Sequence, residues 1–203
     1  LKTMIEKLSR PSSYDEHNPN NLVTMSDLEL RQMRACYYGM MNEVDDAVGR
    51  IVAHLKKTGE YEHTLIIFTG DNGSTVGHHR EAGLGGRKIL GGKGTLLEGG
   101  TRVPLIANWK GKTPAGRVCE DLVDFSDFHA TFAELAGVTR PNHLVFDGRS
   151  FAQPLLGRPG QPRDHVFVQL QDEWFVRDAG WKLTGRGELF DMGDAPFAEK
   201  LVL

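Results

Sequence analysis

The spacing of apolar residues predicts one long amphipathic helix in the first third of the chain. Ser26 and Glu29 have the spacing of a capping box, in which each side chain accepts a hydrogen bond from the other residue's backbone. Apolar residues then recur every three or four positions, which places them on one helix face. Gly59 follows, and glycine commonly ends a helix. We therefore predict a helix that begins after Ser26 and ends just before Gly59.

Two short β-rich apolar runs predict strands. Thr64–Thr69 lacks alternation, which is typical of a strand buried on both faces in a parallel sheet. Val103–Asn108 is a second run of this kind, with Pro104 near its start, where a missing N–H is tolerated. Between the two runs, residues 73–100 are rich in glycine and polar residues. A loop of this length inside a domain is commonly functional.

The pattern changes in the last third of the chain. Ser126–Ala136 predicts a second helix, which Ser126 caps and Gly137 ends. Strand-like runs at hairpin spacing then predict a small antiparallel sheet from His165–Leu170, Trp174–Arg177, Trp181–Thr184 and Glu188–Asp191. We expect the main part of an α/β domain over residues 1–157 and a small antiparallel α+β subdomain over residues 158–203.

Composition excludes several kinds of partner. Hydrophobic residues make up 39% and charged residues 25% of the chain, as in ordinary globular proteins. The formal net charge of −3 gives no electrostatic reason to expect a nucleic acid or an anionic membrane as partner. No apolar run approaches the ~20 residues of a membrane-spanning helix. We therefore predict neither a nucleic-acid partner nor a membrane association.

Asp71 and Asn72 directly follow the first predicted strand. A carboxylate beside a carboxamide offers hard oxygen ligands, which suit Ca²⁺ or Mg²⁺. The same residues are also common in turns, because Asp and Asn adopt turn conformations readily. Taken alone, this short sequence favours an ordinary turn.

Lys93 and His78 are the other candidate binding residues. Glycines surround Lys93, so the backbone can approach an anion while the ammonium supplies a charge. Gly94 stands where a P-loop has Ser or Thr, which excludes that motif. Either His78 or His79 could donate to a bound anion or protonate a leaving oxygen. Taken alone, each of these residues fits a solvated loop side chain at least as well.

Read together, these segments resemble the sulfatase family in order and spacing. The likeness lies in Tyr37–Leu55, Thr64–Gly73, Gly91–Pro104, Asp124–Gly137, Asp147–Ser150, Trp174–Lys182 and Glu188–Asp191. It extends over roughly residues 35–195, and chance does not explain a match of this length and order. The resemblance implies an alkaline-phosphatase-like α/β sandwich, present here in part, followed by a small antiparallel C-terminal subdomain.

The resemblance also implies a function and site residues. Asp71 and Asn72 would be two ligands of a calcium ion, and Lys93 would contact the substrate sulfate, with His78 as a further candidate sulfate contact. Glu98 and Arg102 would form the structural frame of the loop that contains Lys93. The implied activity is that of an arylsulfatase-like sulfuric ester hydrolase acting on an aryl or carbohydrate sulfate. Members of the family are often periplasmic, secreted or lysosomal.

The chain departs from the family pattern at the nucleophile. The family makes formylglycine from Cys or Ser within a C/S-x-P-x-R motif, but neither Cys36 nor Cys119 is followed by that pattern, and no serine supplies it. The Asp-Asp pair that completes the family's metal site is also missing, since Asp45 and Asp46 lie inside the predicted helix. We therefore expect a C-terminal fragment with an incomplete calcium site, inactive alone, whose partner is the missing N-terminal part of the same enzyme.

Two alternatives stay open at this point. The first is a metal-dependent phosphatase or phosphodiesterase of the same superfamily. Such enzymes usually need a second metal held by Asp-His pairs, and the segments Gly91–Thr95 and Glu98–Gly100 favour the sulfatase. The second is a non-catalytic, truncated relative. The missing nucleophile supports that alternative, whereas the intact Asp71, Asn72 and Lys93 argue against it.

Overall fold

The computed structural model describes residues 26–74, 83–139, 141, 143 and 145–203. In these ranges the elements follow in the order α1 Asp27–Thr58, β1 Leu65–Thr69, β2 Gly83–Leu84, β3 Arg87–Lys88, α2 Glu98–Thr101, β4 Leu105–Trp109, α3 Asp127–Leu135, α4 Ala152–Leu155, β5 Val166–Leu170, β6 Glu173–Arg177, β7 Trp181–Thr184, β8 Leu189–Asp191 and β9 Lys200–Leu201. A one-turn 3₁₀ helix, Tyr61–His63, lies between α1 and β1. The described strands form three sheets: β1 with β4, β2 with β3, and β5 to β9.

Helix α1 begins at the predicted capping box and ends at the predicted glycine. The Ser26 N–H donates to the Glu29 carboxylate at 2.8 Å, and the Glu29 N–H donates to Ser26 Oγ at 3.4 Å. Hydrogen bonding to Ser26 lowers the pKa of the Glu29 carboxyl. At the other end, Gly59 adopts a φ of 78° and its N–H donates to the last carbonyls of the helix. The predicted helix and both of its ends are confirmed.

The apolar side chains of α1 are left in contact with solvent. No residue of the helix is buried, and among the described elements it packs against the 3₁₀ helix. Six exposed apolar residues lie on one side of the helix at helical spacing, and these are here called the apolar face of α1: Tyr37, Met40, Met41, Val44, Val48 and Ile51. No helix in the described ranges is long and apolar enough to cross a membrane. A contiguous apolar surface of this kind marks a place where another element packs.

Strands β1 and β4 pair in antiparallel orientation. Leu65 lies opposite Trp109, and Thr69 lies opposite Leu105. The prediction that the first strand is buried on both faces of a parallel sheet is therefore wrong within the described residues. Phe68, the fourth of the five residues of β1, is 44% exposed. An apolar run indicates that a strand has apolar neighbours, but the direction of its partner depends on how the chain connects the two strands.

Short elements interrupt the loop predicted over residues 73–100. The hairpin β2–β3 lies within it, and residues near the C-terminus hold this hairpin in place. The Leu90 N–H donates to Pro196 O at 3.0 Å, and the Arg87 guanidinium pairs with the Asp194 carboxylate at 2.6 Å. Hydrogen bonding within this pair lowers the pKa of the Asp194 carboxyl and raises the pKa of Arg87.

Helix α3 ends at Leu135, one residue before the predicted end, and Ser126 does not cap its start. Ser126 has helical dihedral angles, whereas a capping residue needs an extended conformation for its side chain to reach the first free N–H groups. Its hydroxyl instead donates to the Asp124 carboxylate at 2.5 Å, and its N–H donates to the same oxygen at 2.9 Å. At the C-terminal end, Gly137 adopts a φ of 68°, in agreement with the predicted stop.

The Asp127 carboxylate is the centre of a buried polar network at the start of α3. Asp127 is 1% exposed and accepts two hydrogen bonds of 2.8 Å from the Arg163 guanidinium. The N–H groups of Arg149 and Asp124 donate to it at 2.6 and 2.8 Å. Hydrogen bonding to Asp127 raises the pKa of the Arg163 guanidinium. Because Arg163 lies just before β5, this pair joins α3 to the C-terminal sheet.

The C-terminal sheet contains five antiparallel strands in the order β5-β6-β7-β8-β9. The four predicted strand-like runs are confirmed as β5 to β8, whereas the two-residue strand β9 was too short to give a pattern. Phe175 and Met192 are buried in the core beside this sheet, at 1% and 3% exposed. Lys182 is buried as deeply, at 3% exposed, on the same sheet face as Phe175. The boundary after residue 157 stays a prediction.

Asp127→Asn should strongly destabilise the fold. Asn keeps the size of the side chain, but it removes the charge that pairs with Arg163 and turns an N–H₂ group toward N–H donors. Breaking a buried ion pair costs about 3–5 kcal/mol, which a urea-unfolding midpoint will detect. The control is Asp164→Asn, because Asp164 is 76% exposed where it pairs with Arg149, and such a surface pair contributes about 0–1 kcal/mol. Equal midpoints for the two variants would contradict the importance of this network.

Candidate functional site

The candidate metal ligands lie in the turn that follows β1. We call residues Gly70–Gly73 the strand-end turn. Asp71 is exposed and Asn72 is half-buried, so both side chains stand at the surface where a ligand can reach them. Their position at the C-terminal end of a strand is the position at which α/β proteins commonly bind ligands.

A second segment, residues 90–101, folds directly against the strand-end turn. We call it the lysine loop, because it contains Lys93. The Gly73 N–H donates to Gly100 O at 3.0 Å, and the Lys93 N–H donates to Ser74 O at 2.5 Å. These two backbone hydrogen bonds bring the predicted sulfate-binding lysine next to the two predicted metal ligands. The Lys93 side chain itself is exposed.

The contact between the two segments requires glycine at position 73, and the packing of the lysine loop on itself requires glycine at position 99. A Cβ atom added to Gly73 would lie 1.7 Å from Gly99 O, and one added to Gly99 would lie 2.5 Å from Gly91 O. Both distances are far inside van der Waals contact, and the obstructing atoms belong to the backbone and cannot rotate away. Gly73 and Gly99 therefore serve a close backbone approach rather than loop flexibility alone.

A threonine side chain fixes the turn around Lys93. Thr95 Oγ1 donates to Gly92 O at 2.7 Å and accepts from the Gly92 N–H at 3.1 Å. The Thr95 N–H also donates to Gly92 O, at 3.0 Å. The backbone on either side of Lys93 is thus closed into a small hydrogen-bonded turn, which limits where the ammonium can be placed.

Glu98 holds the far side of the lysine loop. Its side chain is 3% exposed and pairs with the guanidinium of Arg102 at 3.3 Å and with that of Arg177. Arg177 belongs to β6, so the carboxylate connects the loop to the C-terminal sheet. Glu98 and Arg102 occupy the structural position that the resemblance implied for them.

Sequence reasoning missed the second residue that connects the loop to this sheet. Lys182 Nζ donates to Leu96 O at 2.7 Å and to the Glu199 carboxylate at 2.7 Å. The ammonium also lies 4.5 Å from the centre of the Phe175 ring, within the range of a cation–π contact. In the sequence, Lys182 stands between Trp181 and Leu183, so alternation would place the lysine outside and its neighbours inside.

The donor set of the strand-end turn fits a hard divalent cation in part. Asp71 and Asn72 supply oxygen ligands, which suit calcium better than zinc or copper. Two ligands fall short of the ~6–8 oxygens that Ca²⁺ takes. Within the described ranges, no group of three or more His, Cys, Asp or Glu residues could hold a metal ion. His78 and His79 lie outside the described residues.

The arrangement of these side chains suits the binding of an anion. It presents two oxygen donors and one exposed ammonium from adjacent backbone segments at the end of a strand. A tetrahedral oxyanion bound there could contact Lys93 on one side and a cation held by Asp71 and Asn72 on the other. Fixed positive charges of this kind stabilise negative charge that develops during group transfer.

Gly73→Ala should separate the lysine loop from the strand-end turn. The added methyl would overlap Gly99 O, so one of the two backbones must move, and overpacking of this kind costs about 1–3 kcal/mol. We expect a lower urea-unfolding midpoint and faster hydrogen exchange of the Lys93 amide. The matched control is Gly49→Ala, since nothing lies within 4 Å of a Cβ at that helical position. There alanine should add about 0.5–1 kcal/mol of stability. Unchanged exchange in Gly73→Ala would contradict the assigned contact.

Curated relatives similar to this chain are mostly sulfatases. The chain is 37% identical over 167 residues to N-acetylgalactosamine-6-sulfatase of Canis lupus familiaris, covering 79% of this chain and 32% of that protein. It is 35% identical over 145 residues to steryl-sulfatase of Mus musculus, covering 68% and 23%. It is 37% identical over 179 residues to the multifunctional alkaline phosphatase superfamily protein PehA of Trinickia caryophylli, covering 88% and 32%. The chain thus spans about a third or less of the length of these relatives.

Solved structures share the fold. A 2-O GAG sulfatase superposes with a TM-score of 0.65 at 21% identity, covering 88% of this chain and 40% of that one. A protein solved in complex with its substrate D-glucosamine-2-N,6-O-disulfate superposes with a TM-score of 0.63 at 20% identity, covering 99% and 37%. The predicted alkaline-phosphatase-like fold, partial in this chain, is confirmed. Residues 6–138 match the sequence profile described as Sulfatase, and the chain therefore belongs to the sulfatase family.

Proposed function

We propose that this chain is the C-terminal part of an arylsulfatase-like sulfuric ester hydrolase and supplies about half of its active site. The observation that carries the proposal is the pair of backbone hydrogen bonds between the strand-end turn and the lysine loop. They bring Asp71, Asn72 and Lys93 to one place, and the family resemblance implies the first two as calcium ligands and Lys93 as the sulfate contact. Family membership makes sulfate the oxyanion that we expect there.

Lys93 would hold the substrate sulfate through its ammonium group. The side chain is exposed, while the backbone around it is closed by Thr95 and hydrogen-bonded to Ser74. An ammonium is a compact charge with three N–H donors, so it can contact a sulfate oxygen and neutralise part of its charge. Because negative charge moves onto the leaving oxygen in the transition state, a fixed ammonium beside the sulfate group would favour reaction over mere binding.

Asp71 and Asn72 would hold calcium beside the sulfate. When bound, calcium would act as a Lewis acid that withdraws charge from a sulfate oxygen. The two side chains would orient the ion relative to Lys93, because both stand in a turn that Gly73 anchors to the lysine loop. His78 is proposed as a further contact to the sulfate or as the donor of a proton to the leaving oxygen.

The rest of the site would come from other parts of a longer enzyme. The described residues bring together two oxygen ligands, and neither cysteine has the formylglycine sequence pattern. The apolar face of α1 supports the same proposal, since a helix this apolar and this exposed needs a packing partner. We propose that the missing N-terminal part of the enzyme covers this face and supplies the nucleophile, so that the isolated chain is inactive.

The substrate is proposed to be a sulfate ester of a carbohydrate or of an aryl alcohol. Two relatives are named for sulfate esters, one of N-acetylgalactosamine and one of sterols, and one structural neighbour was solved with a disulfated glucosamine. These names agree on the sulfate group and differ in the alcohol. We therefore propose a sulfate ester as the substrate, and the identity of its alcohol is a matter for experiment.

A phosphatase or phosphodiesterase of the same superfamily is the second candidate. The observation that favours it is the 37% identity to a multifunctional alkaline phosphatase superfamily protein, over 88% of this chain. A tetrahedral phosphate could occupy the same position beside Lys93. The two candidates differ in which ester is hydrolysed faster, and that ratio is measurable.

The full-length native protein should hydrolyse 4-methylumbelliferyl sulfate in the presence of calcium much faster than the corresponding phosphate. Lys93→Ala should lower kcat/KM for the sulfate by about 10²–10³-fold, the usual effect of removing one donor to a developing oxyanion. Lys110→Ala is the control, because that lysine is also exposed but lies outside the site. Preference for the phosphate would favour the second candidate, and no turnover of either ester would favour a non-catalytic relative.

A further inference from the structure

The lysine loop is held from two opposite sides. The strand-end turn contacts it through backbone hydrogen bonds, and the C-terminal sheet contacts it through the side chains of Arg177 and Lys182. Arg177 pairs with Glu98, whereas Lys182 donates to the backbone carbonyl of Leu96, three residues beyond Lys93. Of the two contacts from the sheet, the one made by Lys182 is therefore nearer along the chain to Lys93.

The Lys182 side chain is buried among partners that bind its ammonium. Its side chain is 4% exposed, and so is the side chain of its partner Glu199. The ammonium divides its donors between the Glu199 carboxylate and Leu96 O, each at 2.7 Å, and faces the Phe175 ring. With its charge neutralised by Glu199, the ammonium can be buried deeply enough to reach a carbonyl of the lysine loop.

Stability alone does not account for this pair. A buried ion pair is often no more stabilising than apolar side chains of the same volume, because both charges must leave water. An apolar residue at 182 could fill the same space in the sheet, but it could not donate to Leu96 O. The property that only the lysine supplies is thus the hydrogen bond to Leu96 O, which ties this part of the lysine loop to the sheet.

We propose that Lys182 is a positioning residue for sulfate hydrolysis, which acts through the Leu96 carbonyl to hold Lys93 where the sulfate binds, with Glu199 as its counter-ion. This inference deepens the proposed function and rests on it. The attraction between an ammonium and an anion depends on their separation, and a displacement of about 1 Å can cost 10²-fold in rate. The C-terminal sheet is then part of the catalytic apparatus rather than an independent subdomain.

The test uses the full-length native protein and a variant that removes both charges, Lys182→Met with Glu199→Gln. Removing only the lysine would leave a buried carboxylate unpaired, and the protein could then fail to fold. With both changes, we expect a folded protein whose kcat/KM for 4-methylumbelliferyl sulfate is about 10–100-fold lower, the usual effect of losing an orienting partner. Lys200→Met is the matched control, since that lysine is exposed on β9 of the same sheet.

A double-mutant cycle with Lys93→Ala separates positioning from a merely structural role. If Lys182 acts through Lys93, the Lys182–Glu199 variant should cost almost nothing further once Lys93 is alanine. Wild-type turnover by the Lys182–Glu199 variant would overturn the proposal. A loss that adds fully to that of Lys93→Ala would overturn it as well.

A readout without turnover keeps this inference separate from the proposed function. The Lys93 N–H exchanges slowly only while the loop stays against Ser74, to which it donates. We expect the Lys182–Glu199 variant to exchange this amide faster than the wild type, and Lys200→Met to leave it unchanged. If the wild type hydrolyses no sulfate ester, the proposed function fails. Unchanged exchange of the Lys93 amide in the Lys182–Glu199 variant would overturn the placement of the loop by Lys182, whether or not the wild type is active.

Discussion

The buried contact between Lys182 and the Leu96 carbonyl ties the lysine loop to the C-terminal sheet. Most of this loop has no regular secondary structure, so its shape depends on contacts made to it from outside. Lys182 and the pair of Glu98 with Arg177 hold it to the C-terminal sheet, and backbone hydrogen bonds hold it to the strand-end turn. An exposed ammonium at the end of a flexible side chain can serve as a sulfate contact only if the backbone beneath it is fixed in this way.

The same constraint explains why the C-terminal sheet follows the α/β part in one chain. The sheet contributes no candidate ligand for the metal or the sulfate, yet it contacts the lysine loop, which contains Lys93. The ion pair of Asp127 with Arg163 joins the sheet to α3, and that of Arg87 with Asp194 joins it to the β2–β3 hairpin. These two pairs hold the sheet against the part of the chain that contains the candidate site.

Local sequence signals predicted much of the fold. The capping box of Ser26 with Glu29 and the glycine at 59 defined α1, because such signals act within one turn of the chain. Hairpin spacing defined four strands of the C-terminal sheet for the same reason. The direction of β4 relative to β1 depends on pairing between residues about forty positions apart, and no local pattern encodes it.

Residues that depend on long-range partners were the ones that sequence missed. Alternation with Trp181 and Leu183 would place Lys182 outside the sheet, whereas it is buried and the apolar Trp181 is 48% exposed. Lys182 is buried because its ammonium donates to Glu199 and to Leu96 O on the inner face of the sheet, and neither residue is near Lys182 in sequence. Family resemblance, rather than local chemistry, selected Asp71, Asn72 and Lys93, since each of them alone fits an ordinary turn or loop.

The most direct test of this account is a crystal structure of the full-length native protein grown with calcium and inorganic sulfate. The account predicts calcium about 2.3–2.6 Å from oxygens of Asp71 and Asn72, and sulfate within about 2.7–2.9 Å of the Lys93 ammonium. It also predicts that Lys182 still donates to the Leu96 carbonyl in that structure. Calcium bound without Asp71 and Asn72, or sulfate bound away from Lys93, would contradict the assignment of the site.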